Sequence, residues 1–242
     1  MFAAERQSRI IEILKEKGSV QVDELAELMQ VSPMTIRRDL VKLQNDGHVE
    51  RCHGGAIARE ETAYADKRTS HKQEKKKLAA LCKQFVAPGD TIFLDAGTTT
   101  LEIAKQIKDI ENIMVVTTDI EISRYLIQSD VDLMLCGGMV QKSTGSVLGP
   151  YATQMIMDFK FDIGFFGAAI ISGTGEVMTP TVEKAFLKRE TVKRCEKSYL
   201  VVDESKFQKQ GMIKINELKD FSAIITNYPF QDEKGEVRII SP

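Results

Sequence analysis

"VSPMTIRRDL", residues 31–40, decides how the first quarter of the chain is read. Ser32 is a strong helix N-cap, and Pro33 suits the first helical position, where no amide donor is needed. From there Ile36, Leu40 and Leu43 recur at helical spacing and mark a face that turns inward. Met34, Arg38, Lys42 and Asn45 lie opposite that stripe, with Thr35 and Arg37 on its flanks. The amino-terminal turn of this helix therefore presents polar and basic side chains outward.

Upstream, "ERQSRIIEILKEK" carries Ile10, Ile11 and Leu14 at helical spacing, and Gly18 is placed to stop that helix. "SVQVDELAELMQ" puts Val22, Leu25, Ala26 and Met29 on one stripe. Gln21 is a poor N-cap for it, but Asp23 and Glu24 suit the positive end of the helix dipole. Downstream, "VERCHGGA" reads as a strand and a glycine turn. Two short helices across a tight turn, the second opening on basic residues, describe a helix-turn-helix with a following wing. Met34, Thr35, Arg37, Arg38 and Lys42 are then placed for base edges or phosphates, and Arg51 and His53 of the wing for the DNA backbone or minor groove.

Composition makes any such attraction local. The chain of 242 residues has 33 basic and 35 acidic side chains and a net charge of −2, so no global field draws in nucleic acid. Residues 1–56 hold eight Lys/Arg and nine Asp/Glu, with the acids mainly on the first two helices. Cys52, Cys82, Cys136 and Cys195 form no CxxC pair and have no histidine cluster nearby, which reads as reduced cytoplasmic thiols without a metal site. No apolar run is long enough to span a membrane, and no secretory signal opens the sequence.

Residues 31–40 and 53–56, "VSPMTIRRDL" and "HGGA", resemble the winged amino-terminal domain of DeoR-family bacterial transcription regulators. The resemblance implies double-stranded operator DNA as a partner. Gln21 departs from the usual Ser or Thr of the family at that cap.

Residues 57–77 are rich in charge and poor in aliphatics, with six Lys/Arg against one Glu between 67 and 77. They read as a linker entering a helix that starts around residue 67 and runs on through "KKLAALCKQFV". The expected division is a DNA-binding domain over 1–56, a linker and the start of a connecting helix over 57–77, and an α/β domain over 78–242. In the last, "DTIFLDAG", "NIMVVTT", "VDLMLCGG", "FDIGFFGAAI", "SYLVVDES" and "FSAIITN" read as strands alternating with helices. That pattern predicts a mostly parallel sheet covered on both faces, with ligands at the carboxyl ends of its strands.

Those ends carry "DAGTT" at 95–99, Thr117-Thr118-Asp119, Gly137-Gly138 and Asp203 to Lys206. A glycine turn, hydroxyl side chains and a helix start can cradle a phosphate, although neither the P-loop nor the dinucleotide fingerprint is present. Helix capping, plain turns and a solvated lysine are the structural alternatives. The same strings resemble the DeoR-family sensor domain, which is related in fold to ribose-5-phosphate isomerase and the CoA-transferases. That resemblance implies an effector that is a phosphorylated sugar, with Gly97, Thr98 and Thr99 at the phosphate and Asp95, Thr117, Gly138, Glu183 and Lys206 around the sugar. The expected protein is a non-enzymatic, cofactor-free cytoplasmic repressor of a carbohydrate operon, acting as a dimer or tetramer. Two alternatives remain open: an isomerase-like enzyme using Asp95, Glu183 and Lys206, and a DNA-binding scaffold with a degenerate sensor.

Overall fold

The computed structural model describes residues 2–242 except 18, 47–48, 53, 59–63, 210, 212 and 230–234. The amino-terminal unit runs α1 (Ala3–Lys17), β1 (Ser19–Gln21), α2 (Val22–Met29), α3 (Pro33–Asn45), β2 (Val49–Cys52) and β3 (Gly55–Ala58). The three strands form an antiparallel sheet in the order β1-β3-β2, which is the wing. Ile10, Leu14, Leu25, Ile36, Leu40 and Leu43 close a separate small core. Ser32 caps α3 by accepting the Thr35 amide, Pro33 opens that helix, and Gln21 makes no side-chain cap to α2. Gly18, expected to stop α1, lies outside the described residues, and α1 ends at Lys17. At Gly55 a Cβ would sit 2.1 Å from the Val20 carbonyl oxygen, so the close pairing of β3 with β1 admits only glycine.

One tie across this core was not read from the sequence. Asp39 lies on the inward side of α3, beside Leu40, and binds Arg6 of α1 through Nε–Oδ2 at 2.5 Å and Nη2–Oδ1 at 3.2 Å. Gln7 adds a third hydrogen bond at 3.0 Å. The pair is buried, so it fixes the angle of α3 on α1 and leaves the neighbouring arginines to point outward.

The second unit follows α4 (Tyr64–Thr69) and α5 (Lys72–Cys82). It continues through β4 (Thr91–Leu94), α6 (Thr98–Ile107), β5 (Met114–Thr117), α7 (Ile120–Leu126) and β6 (Asp132–Leu135). Next come β7 (Met139–Gln141), β8 (Ser146–Leu148), α8 (Pro150–Met157), β9 (Phe161–Phe166), β10 (Ile170–Ile171) and β11 (Glu176–Thr179). The chain then runs through α9 (Val182–Val192), β12 (Cys195–Val202), β13 (Ile213–Glu217), β14 (Ala223–Thr226) and β15 (Ile239–Ile240). Seven parallel strands form one sheet in the order β15-β14-β12-β9-β4-β5-β6. Alternate residues face opposite layers: Ile92 and Leu94 pack with α5, α6 and α7, whereas Phe93 packs with α8 and α9.

Three expectations change. The connecting helix is not continuous from residue 67. It starts at Tyr64 and breaks at Ser70–His71, where His71 takes a left-handed φ of 50°. "FDIGFFGAAI" is two strands, β9 and β10, parted at Gly167–Ala169. The β7–β8 hairpin and the antiparallel β10-β11-β13 sheet were not anticipated, since their strands are two to five residues long.

Asp39→Ala should remove the carboxylate that Arg6 binds in the core and cost the amino-terminal domain about 3–5 kcal/mol, as breaking a buried pair does. Replacing both partners, Arg6→Met with Asp39→Leu, should recover most of that. Denaturant melts followed in the two domains separately check this, and an unshifted transition in Asp39→Ala would contradict the role assigned to the pair.

Candidate functional sites: a nucleic-acid face and a sheet-end crevice

On α3, Met34 is 54% exposed, and Arg37, Arg38 and Lys42 are exposed beside it. Arg51 on β2 is exposed as well, while His53 lies outside the described residues. Thr35 is half-buried, with its hydroxyl 2.9 Å from Ser32 Oγ, so it serves the helix cap. The inward stripe Ile36, Leu40 and Leu43 is buried as its spacing predicts. Four exposed basic side chains thus lie on α3 and the adjoining β2 of a unit whose acids lie mostly on its first two helices.

In the sheet, strand order reverses between β4 and β9, which makes their carboxyl ends the topological switch point. Asp95 follows β4 and is buried. Its Oδ2 accepts the Gly167 amide after β9 at 3.0 Å and lies 2.5 Å from Lys188 Nζ on α9. Lys188 also donates to the Gly167 carbonyl at 2.7 Å. One turn earlier, buried Lys184 donates to Thr144 Oγ1 at 3.3 Å. Asp95, Thr118, Ser146, Lys184 and Lys188 surround a crevice of about 10 Å³, room for a single water. The site is lysine-lined, with Ala96, Leu148 and Leu187 completing its lining, and as it stands it is too small for a sugar phosphate.

The expected effector residues separate into groups. Asp95 belongs to the crevice. Gly97 opens α6, and its amide donates to Asp119 Oδ2 at 2.9 Å, so a carboxylate already occupies the cradle proposed for phosphate. Thr98 Oγ1 donates to the Lys67 carbonyl of α4 at 3.4 Å, and Thr99 is half-buried at the start of α6.

Thr117 is fully buried, donates to the Leu94 carbonyl at 2.7 Å and accepts the Asp119 amide, so its hydroxyl ties β4 to β5 instead of facing a ligand. Gly138 has a φ of +155°, and a Cβ there would meet the Leu148 carbonyl oxygen at 2.5 Å, so it packs against the base of the β7–β8 hairpin. Glu183 is exposed and is not among the crevice residues. Lys206 follows β12, lies within electrostatic reach of Lys75 and is not among the crevice residues. Of the trio named for the isomerase alternative, only Asp95 is among the residues that line the crevice.

Lys184 and Lys188 were missed, yet a signal was present. In "VEKAFLKRETV" both lysines share a helical stripe with Thr191 and flank Ala185 and Leu187, a pattern that places two ammonium groups on the inward face. Lys75 was missed as well. It is buried on α5, donates to the carbonyls of Lys67 at 2.5 Å and Ser70 at 2.7 Å, and has its pKa pushed down to about 8 by burial and by nearby Lys206. Among the described residues no cluster of His, Cys, Asp or Glu has the makings of a metal site.

Asp119 caps α7 through the amides of Glu121 at 2.7 Å and Ile122 at 3.0 Å. Burial raises its pKa from 3.8 to about 6 despite those bonds. Below about pH 4 folded and unfolded states both hold the proton; above about pH 6 neither does, and the buried charge then costs roughly 3 kcal/mol. Stability at this site is therefore lost as pH rises through 6. Asp119→Asn should gain on wild type between pH 4.5 and 7.5 in denaturant melts, whereas a pH-independent difference would contradict the assignment.

Comparison with known proteins joins the two sites. Residues 6–62 match the DeoR-like helix-turn-helix domain, and residues 70–228 match the DeoR C terminal sensor domain. The chain is similar to the glycerol-3-phosphate regulon repressor of Escherichia coli K12, with 30% identity over 95% of this chain and 92% of the other. It is similar to the HTH-type transcriptional regulator GlpR of Haloferax volcanii, with 31% identity over 94% and 91%. Among solved structures, eIF2B delta from Chaetomium thermophilum aligns with a TM-score of 0.50 at 13% identity, over 67% of this chain and 58% of that one, a likeness of fold alone. Ribose 5-phosphate isomerase A from Methanocaldococcus jannaschii aligns with a TM-score of 0.43 at 18% identity, over 58% and 56%. No helix among the described residues is long and apolar enough to cross a membrane. With a helix-turn-helix unit carrying an exposed basic face, a parallel α/β sensor unit, and both family models matched in order, the chain belongs to the DeoR family of transcriptional repressors.

Proposed function

We propose that this repressor controls a carbohydrate-metabolism operon and that a phosphorylated sugar or related small anion, bound at the sheet-end crevice, weakens its hold on operator DNA. The observation that carries this reading is the pair of buried lysines, Lys184 and Lys188, at the switch point. Two buried ammonium groups on adjacent turns suit an anionic ligand, which would take over their present bonds to Thr144 and Asp95. The relatives named for glycerol 3-phosphate support the same chemical class. In this reading residues 1–56 bind DNA, 57–77 link, and 78–242 sense, in the cytoplasm. Gly97, Thr98 and Thr99 remain candidates for the phosphate if Asp119 moves aside, and Lys206 would act from the β12 end. Arg37, Arg38 and Lys42 bind the major groove, and Arg51 and His53 the backbone beside it.

The test has two arms. A duplex recovered by in vitro selection should bind Arg38→Ala more weakly by about 1–3 kcal/mol if the contact is bidentate to a base. A thermal-shift screen of glycerol 3-phosphate and pentose and hexose phosphates should yield a ligand adding roughly 2.7 kcal/mol at 100 times its dissociation constant. Lys184→Met should lose that gain, and the dephosphorylated ligand should give none. Equal stabilisation by phosphorylated and unphosphorylated forms would remove the anion from the account.

A symmetric operator needs at least two DNA-binding units. Met139, Tyr151, Val182 and Phe186 are exposed on the hairpin, α8 and α9, at 80, 82, 65 and 50%. This reading makes them the surface between sensor domains. Light scattering at micromolar concentration should show a dimer or tetramer that Tyr151→Asp with Phe186→Asp weakens; a monomeric wild-type chain would contradict it.

A further inference from the structure

The crevice has room for about one water, so a sugar phosphate enters only by parting its walls, and α4 is tied to two of them. One wall is the β7–β8 hairpin. Thr144 in its turn meets Lys184 Nζ at 3.3 Å and Ser146 Oγ at 3.0 Å, and the Val147 amide donates to the Thr118 carbonyl at 2.7 Å. Next to Thr144, the Ser143 carbonyl accepts the amide of Tyr64, the first residue of α4, at 2.9 Å.

The other wall is the Asp95–Ala96 turn that runs directly into α6. The Thr98 hydroxyl of α6 donates to the Lys67 carbonyl in α4 at 3.4 Å. The buried Lys75 ammonium donates to that same carbonyl and to Ser70, holding the carboxyl end of α4 where a cation suits the helix dipole.

At six residues α4 is far too short to persist by itself, so its position depends on these ties. Holding it there also carries a cost, because the Tyr64 hydroxyl is buried without a hydrogen-bond partner among the described residues. In the sequence, five residues, 59–63, separate α4 from β3 of the DNA-binding unit.

Taking the crevice as the effector site, we infer that α4 is the output latch of the sensor: an anion that parts the hairpin from the turn into α6 breaks one of the two ties that hold α4 to the crevice walls. Releasing α4 changes how the DNA-binding unit is held, which couples the two sites. The differential contacts that a ligand needs in order to shift the equilibrium are the ties themselves.

The test needs no ligand. Thr144→Val keeps volume and removes the hydroxyl that holds the hairpin to Lys184. In the full-length protein, hydrogen–deuterium exchange should rise together in residues 139–148 and 64–69, by about tenfold, the factor carried by one lost hydrogen bond. Exchange in α3 and α8 should stay as it is.

The reciprocal variant is Tyr64→Pro, since proline fits a first helical position but offers Ser143 no amide. Tyr64→Ala drops the same ring and keeps the donor, so exchange over 139–148 should rise more in Tyr64→Pro than in Tyr64→Ala. Wild-type protection of 64–69 in Thr144→Val, or a hairpin that exchanges alike in the two Tyr64 variants, overturns the latch. A missing response to every sugar phosphate alongside intact coupling would overturn the effector reading instead, and leave the latch standing.

Discussion

The ion pair of Asp95 with Lys188 is the constraint on which the sheet-end crevice depends. Where strand order reverses between β4 and β9, the following loops diverge, and a parallel sheet leaves a gap there. Asp95 closes it by binding the Gly167 amide, and Lys188 closes it again by binding both Asp95 and the Gly167 carbonyl. Three elements meet at two side chains. A buried pair of this kind is a poor source of stability, because desolvation offsets most of the attraction. What it does supply is position: with Lys188 fixed, Lys184 is held one turn away, under the hairpin turn at Thr144.

Under the proposed function, a chain with a net charge of −2 would handle two kinds of phosphate by two local arrangements. On α3 the cations are exposed arginines, whose planar forks suit guanine edges and phosphodiesters. At the crevice they are buried lysines, compact charges whose partners a small anion can replace. The first arrangement rests on the buried Arg6–Asp39 tie, which sets the direction of α3, as the second rests on Asp95. In both, a buried salt bridge is a positioning device for cations that face outward or into a cavity.

Much of the fold was legible because long-range order here follows local pattern. Ser32 and Pro33 mark the start of α3, its inward stripe is read from spacing, and the apolar strands of the parallel sheet stand out against amphipathic helices. The short antiparallel pieces were not legible: β7, β8, β10 and β11 have two to four residues each and owe their existence to tertiary pairing. The site was legible in outline only. Strand ends pointed to Asp95 and to the start of α6, yet Thr117 and Gly138, equally suspicious in sequence, serve the scaffold. Glu183 was taken from α9 where its neighbours Lys184 and Lys188 face the crevice, a distinction set by the helix's rotation on the sheet and not by residue type.

The central claim is that one conformational equilibrium links the crevice to the DNA-binding face, and linkage makes it testable from either end. The most direct measurement is the dissociation constant, by calorimetry, of the sugar phosphate that most raises the melting temperature, taken with the free protein and again with the protein saturated by operator duplex. Reciprocity requires the ligand to lose affinity on DNA by the same factor by which it weakens the operator complex, at least about fivefold for a typical coupling. An identical constant in both states would show that the crevice and α3 do not communicate, and would contradict the account.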